Sequence, residues 1–173
     1  AQGKLDAAEP LYRRALAISE EQLRPDHPLV GTSLNNVAVL LQAQGRLDAA
    51  EPLYRRAVAI KEKQHGTDHP SVATSLGNLA GLLKAKGELD AAGILYRRGL
   101  AIFEQQLGPD HPSVATSLNN VALLLWRLGR LEAALPLQAR ATAICQRRGD
   151  TKNEAEYRFE LKKMRRGAPF PYA

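Results

Sequence analysis

Asn36, Asn78 and Asn120 stand a constant 42 residues apart (36, 78, 120) in segments that otherwise read as helix. Asparagine inside a helix costs roughly half a kcal/mol against alanine, so three in register need a reason. A carboxamide donates and accepts at once, and a row of them can hold the backbone of an extended peptide without choosing its sequence. The same amides could instead bridge neighbouring helices, or persist because the unit was duplicated. At about 100° per residue, the side of the helix that carries them also carries Thr32, Asn35, Val39 and Gln42 in the first copy. The later copies place Thr74, Gly81 and Lys84, then Thr116, Asn119, Leu123, Trp126 and Arg127, on that side. The positions that vary between copies include Val39/Gly81/Leu123 and Gln42/Lys84/Trp126, and specificity would be written in such differences. Gly81 would leave a hollow for a ligand side chain, and Lys84 and Arg127 favour an acidic ligand. Trp126, the only tryptophan, lies beside Arg127, a pairing typical of interface hot spots. The alternative for Trp126 is packing beneath the last helix.

Residues able to do other chemistry have simpler roles. His27, His69 and His111 recur in Asp-His-Pro loops a whole repeat apart with no second ligand beside them, so turn and cap chemistry is expected and a metal site is not. Cys145 is the only cysteine, has no companion base in sequence and cannot form an internal disulfide, which favours a reducing, cytoplasmic setting. There is no glycine-rich phosphate loop and no hydrolase elbow. No catalytic residue and no cofactor are therefore expected, and the chain reads as a non-enzyme. The Tyr-Arg-Arg motif at Tyr12, Tyr54 and Tyr96 puts arginines on outer or inter-repeat faces, with Asp48, Glu51 and Asp90 as acidic partners. That accounts for them better than phosphate binding, so no nucleic acid is expected. Nor is a membrane, since no apolar run of about 18 residues is present.

The elements that position these residues repeat with the same step. GRLDAAEPLYRRAVAI from Gly45 recurs as GKLDAAEPLYRRALAI from Gly3, GELDAAGILYRRGLAI from Gly87 and, more loosely, GRLEAALPLQARATAI from Gly129. A second block, DHPLVGTSLNN from Asp26, recurs from Asp68 and Asp110. A period of this size marks an array whose units bury their apolar faces only against neighbours. Aromatics make up 5% of the 173 residues and no segment alternates for long, so helices are expected throughout. They run from Leu5 to about Leu23, Leu29 to Gln44, Leu47 to about Gln64, Ser71 to Lys86, Leu89 to Leu107, Ser113 to Leu128 and Leu131 to Arg148. Pro28 suits a first turn and Gly45 a helix end. After Gly149 the period breaks, and Thr151 with Glu154 forms a capping-box signature for a last helix to about Arg166. Its Lys162, Lys163, Arg165 and Arg166 are expected to be solvated. Ala1, Gln2 and Gly3 match Ala43, Gln44 and Gly45, as if the chain were cut from a longer array.

These paired helices resemble tetratricopeptide repeats of the 42-residue form found in kinesin light chains and many bacterial proteins. The family's packing positions fall on Leu34, Val37, Ala38, Leu41, Gly45, Ala50, Tyr54 and Ala57, with copies through Ala141. Gln138 in place of tyrosine and Gly99 in place of alanine depart from the pattern and imply looser packing toward the C-terminus. The resemblance implies an all-α fold, a right-handed α-solenoid of antiparallel helix pairs with a C-terminal capping helix. The array spans 1–148, as a half repeat 1–28 and repeats of about 29–70, 71–112 and 113–148, followed by the cap 149–166 and an irregular tail 167–173. The first helix of each pair would line a concave groove that binds an extended protein or peptide partner, acidic to match the net charge of +6. The competing expectation is a spacer or self-association element, joined through its array ends, in a larger multidomain signalling protein.

Overall fold

The computed structural model describes residues 2–166, with side chains from residue 7 onward. The expected tail 167–173 lies outside the described residues. Eight helices follow in order: α1 Gln2–Gln22, α2 Pro28–Ala43, α3 Leu47–His65, α4 Pro70–Lys86, α5 Leu89–Leu107, α6 Pro112–Arg127, α7 Leu131–Arg148 and α8 Thr151–Arg165. They form two compact units, Ala1–Glu88 and Leu89–Ala173. Each stacks antiparallel helix pairs in the manner of a tetratricopeptide solenoid.

The starts of α2, α4 and α6 share one device. A proline opens each helix, and the Nδ1 of His27, His69 or His111 accepts from the backbone N–H of Leu29, Ser71 or Ser113 at 3.1–3.2 Å. The imidazole stands where serine or aspartate usually caps a helix, taking one of its orphan donors. The expected helix ends agree within a residue, except that α1 starts at Gln2 where Leu5 was expected. Gly87 closes α4 with φ 86°, a conformation that a Cβ would strain.

In the first unit α2 lies against α3 through Val30, Leu34, Ala57 and Ile60, with Leu16 of α1, Leu23 and Leu53 packed on them. The approach is close: a Cβ on Gly31 would come within 3.1 Å of Ile60 Cγ2. Ala38, Ala50 and Ala57 are fully buried beside it. The Tyr54 ring fills the remaining space, and its hydroxyl donates to Gln42 Oε1 at 2.9 Å. Ion pairs then tie each helix to the repeat that follows. Glu9 of α1 accepts from Arg13, Gln44 and Arg46, and Glu51 of α3 accepts from Lys86 at 2.7 Å. The second arginine of Tyr-Arg-Arg, Arg56, reaches back to Glu20. The first, Arg55, pairs with Glu51 as expected, whereas Asp48 pairs with Lys86.

The second unit repeats the scheme, with Arg140 bonded to Glu104 and Arg147 to Asp110. Three expectations are corrected there. The N-cap of α8 is Asp150, which accepts from Asn153 N at 3.2 Å and from its side-chain amide at 2.6 Å, so Thr151 is the first helical residue. Aspartate accepts the N-cap bond as readily and carries charge toward the positive helix end. Packing at Gln138 is not loose: the side chain is fully buried, and its Nε2 donates to Asn119 Oδ1 and Tyr157 O. Trp126 does not lie open on a ligand face but is 4% exposed, packed with Ala122, Ala134 and Met164 of α8. The indole occupies the register of Gln42. The cap buries Tyr157, Leu161 and Met164, and on its outward side Phe159 is 57% exposed beneath Lys163 Nζ.

Two consequences can be measured. Its hydrogen bonds from Arg13, Gln44 and Arg46 hold Glu9 at a pKa of about 2 against an ordinary 4.5. A depressed folded-state pKa contributes stability that is complete above the unfolded value and lost as pH falls through the folded one. The melting temperature should therefore drop between about pH 4.5 and 2, and Glu9→Gln should flatten part of that slope. Met164→Ala should cost about 2–5 kcal/mol by opening a cavity over the indole. It should also shift the blue, quench-resistant emission of Trp126 to the red.

Candidate functional site

The side of the first unit that carries Asn36 and Asn78 is hollowed, because α2 and α4 present small residues there. One hollow of about 460 Å³ lies between Val39, Gln42 and Ala43 of α2, Tyr54 of α3, and Gly77, Asn78 and Gly81 of α4. Its smaller neighbour, about 230 Å³, is lined by Tyr12, Asn36, Val39, Leu40 and Ala43. Val39, 46% exposed, forms the ridge between them. A Cβ placed on Gly77 would meet no heavy atom within 4 Å, so the space beside α4 exists for want of a side chain.

Hydrogen bonds set the polarity of the lining. Tyr54 donates to Gln42 Oε1, which leaves the Gln42 amide to present its N–H groups. Asn78 Nδ2 donates to Asn35 Oδ1 at 2.9 Å, which leaves Asn78 Oδ1 as an acceptor. One flank of the larger hollow thus offers donors and the other an acceptor, matching the C=O and N–H of a passing backbone. Burial pushes the Tyr54 phenol up to about 12, so it stays neutral, and neither lining holds an acid or a basic side chain. The site can take an uncharged side chain and bond a peptide main chain; it has no group placed for proton transfer or nucleophilic attack.

The residues expected from sequence divide accordingly. Val39, Gln42, Asn78 and Gly81 share the larger hollow, and Asn36 and Val39 the smaller. Asn35 is the tether of Asn78, so the amide bridge between neighbouring helices is present here beside an open face. Thr32 and Thr74 are exposed, but their hydroxyls bond Pro28 O and Pro70 O of their own helices. Lys84 is half-buried outside both linings. In the second unit Asn119 is buried on Gln138, and Thr116 Oγ1 meets the Tyr157 hydroxyl at 3.4 Å. Leu123 packs against the Trp126 cluster, and Asn120 and Arg127 are half-buried. Tyr12 and the Tyr54 hydroxyl join the site without having been expected. The signal was the residue type: a buried ring written as tyrosine, not phenylalanine, needs a partner for its hydroxyl.

Comparison with known proteins places this geometry. Among solved structures, the chain is similar to a Podosopora anserina protein assigned as a kinesin light chain with nearly identical TPR-like repeats. Identity is 28% over 94% of this chain and 78% of the other, with a TM-score of 0.80. BtubC (BKLC) from P. vanneervenii shares 24% over 96% of this chain and 75% of its own, at a TM-score of 0.73. Aspartyl phosphate phosphatase F from Bacillus subtilis shares 18% over 94% of this chain and 41% of its own, at 0.80. At these last two identities the likeness is one of fold. A search of curated protein sequences gives no significant match. The model for the tetratricopeptide repeat matches residues 1–63, 32–105 and 71–147. These matches overlap to cover residues 1–147, and the chain belongs to the tetratricopeptide repeat family.

Proposed function

We propose that the chain is a non-enzymatic module that captures an extended peptide on the hollowed face of its first unit. Tetratricopeptide repeats are protein–protein interaction modules, and that much follows from the family. The observation that carries the finer reading is the larger hollow, where a donor on Gln42 and an acceptor on Asn78 flank open space beside Gly77. In this reading the amides of Gln42 and Asn78 hold the main chain, and one uncharged side chain of the ligand enters beside Gly77 and Gly81. Acidic residues elsewhere in the peptide answer the net charge of +6 and Lys84. In the second unit Asn120, Leu123 and Arg127 border the corresponding register, while Trp126 supports them from the core.

Selection from a displayed library of random short peptides tests this reading. Enriched peptides should be acidic with one uncharged, bulky residue, and Asn36→Ala with Asn78→Ala should weaken their binding without changing helicity. Gly77→Ala separates site from scaffold. It adds a methyl group to empty space in a helix, which should stabilise the fold by about 0.5–1 kcal/mol while reducing affinity. Peptides that bind the variants as tightly as the native chain would rule out this face.

A further inference from the structure

An acid that the earlier repeats use to join their helices is missing from α5. Glu9 of α1 accepts from Arg13, one turn on in its own helix, and from Arg46, which stands just before α3. Glu51 of α3 accepts from Arg55 in the same way, and from Lys86. The matching residue of α5 is Gly93, yet Arg97 keeps the place of Arg13 and Arg130 keeps the place of Arg46. Helices α5 and α7 stack in the same register as α1 and α3: Arg140 meets Glu104 as Arg56 meets Glu20, and Arg147 meets Asp110 as Lys63 meets Asp26. Arg130 leaves the backbone at φ −89° and ψ 60°, close to the −84° and 61° of Arg46. A Cβ built on Gly93 would lie 3.5 Å from Nη1 and 3.7 Å from Nη2 of Arg97, so that guanidinium lies over the bare glycine.

Both arginines are exposed, and among the described residues neither has a hydrogen bond or an ion pair. Asp90, a turn before Gly93, does not replace the missing acid: its copy Asp48 bonds Lys86, and the copy of Lys86 is Leu128. We propose that Arg97 and Arg130 form a binding site for a carboxylate from outside the chain, a glutamate side chain of a protein partner laid over Gly93 where α1 and α3 carry their own. Guanidinium groups present paired N–H donors that match the two oxygens of a carboxylate. The equivalent arginines, together with Gln44, hold the Glu9 carboxylate ionised, with its pKa at about 2. Leu128 stands in the place of Gln44, and Ile94 beside Gly93 is 61% exposed, so the surroundings are apolar. The ligand that fits is a glutamate next to an aliphatic residue. This site belongs to the second unit and is independent of peptide capture at Gln42 and Asn78.

The arginine Nε–H signals of the chain, followed by NMR at low salt, test this with a blocked tetrapeptide Gly-Glu-Leu-Gly as the probe. The signals of Arg97 and Arg130 should move and saturate at millimolar peptide, while that of Arg55, already paired with Glu51, stays in place. The same peptide with glutamine for glutamate should leave all of them unmoved. Gly93→Glu should weaken binding by about tenfold or more, because an internal carboxylate then takes both arginines. Its Cβ would meet Leu124 Cδ2 at 3.2 Å, so its melting temperature is measured alongside. Arg97→Gln combined with Arg130→Gln changes only exposed side chains and should abolish the response of the chain to the peptide, read from its backbone amides around Gly93. Asn36→Ala with Asn78→Ala should bind this probe as the native chain does, which separates failure here from failure of the peptide reading. Signals that do not saturate, an equal response to the glutamine peptide, inorganic phosphate acting at lower concentration than the glutamate peptide, or undiminished binding by either variant would overturn the proposal.

Discussion

Close approach of two helices within a pair is the constraint on which the rest of this protein depends. Gly31 leaves room for Ile60, and Ala38, Ala50 and Ala57 leave room for the backbones themselves. Dispersion falls off over fractions of an ångström, so a pair with bulkier residues there would have to separate and lose contact along its length. Once the axes are this near, the Tyr54 ring has one place to go, and its hydroxyl emerges beside Gln42. The hydrogen-bond polarity of the hollowed face is thus a consequence of small residues on its far side.

The second unit shows how the same register can be spent differently. Where the first has Tyr54 and Gln42, the second has Gln138 and Trp126, so the large aromatic has moved from one helix of the pair to the other. One arrangement buries a tyrosine whose hydroxyl bonds Gln42, and the other an indole packed with Met164. At Gly77 the first unit has nothing, while at the matching position the second has Asn119 bonded to Gln138.

Charge in this chain is largely committed to the scaffold. Glu9, Glu20, Glu51 and Glu104 each hold a cationic group from about a repeat further along. Exposed pairs of this kind contribute little singly, but their regular placement favours one stacking register over others.

The sequence by itself determined the helices, their pairing and the repeat. Periodicity, proline at the helix starts and glycine at the ends are local properties, and a 42-residue copy of them leaves one way to bury the apolar stripe of Leu34, Val37, Ala38 and Leu41. It also marked the side on which Asn36, Asn78 and Gly81 lie. Only the tertiary structure decided that Trp126 and Asn119 are core while Val39 and Gly77 border open space. Residues at one register differ in exposure according to what neighbouring helices bring: the cap laid Met164 over one, and no side chain fills the space beside the other.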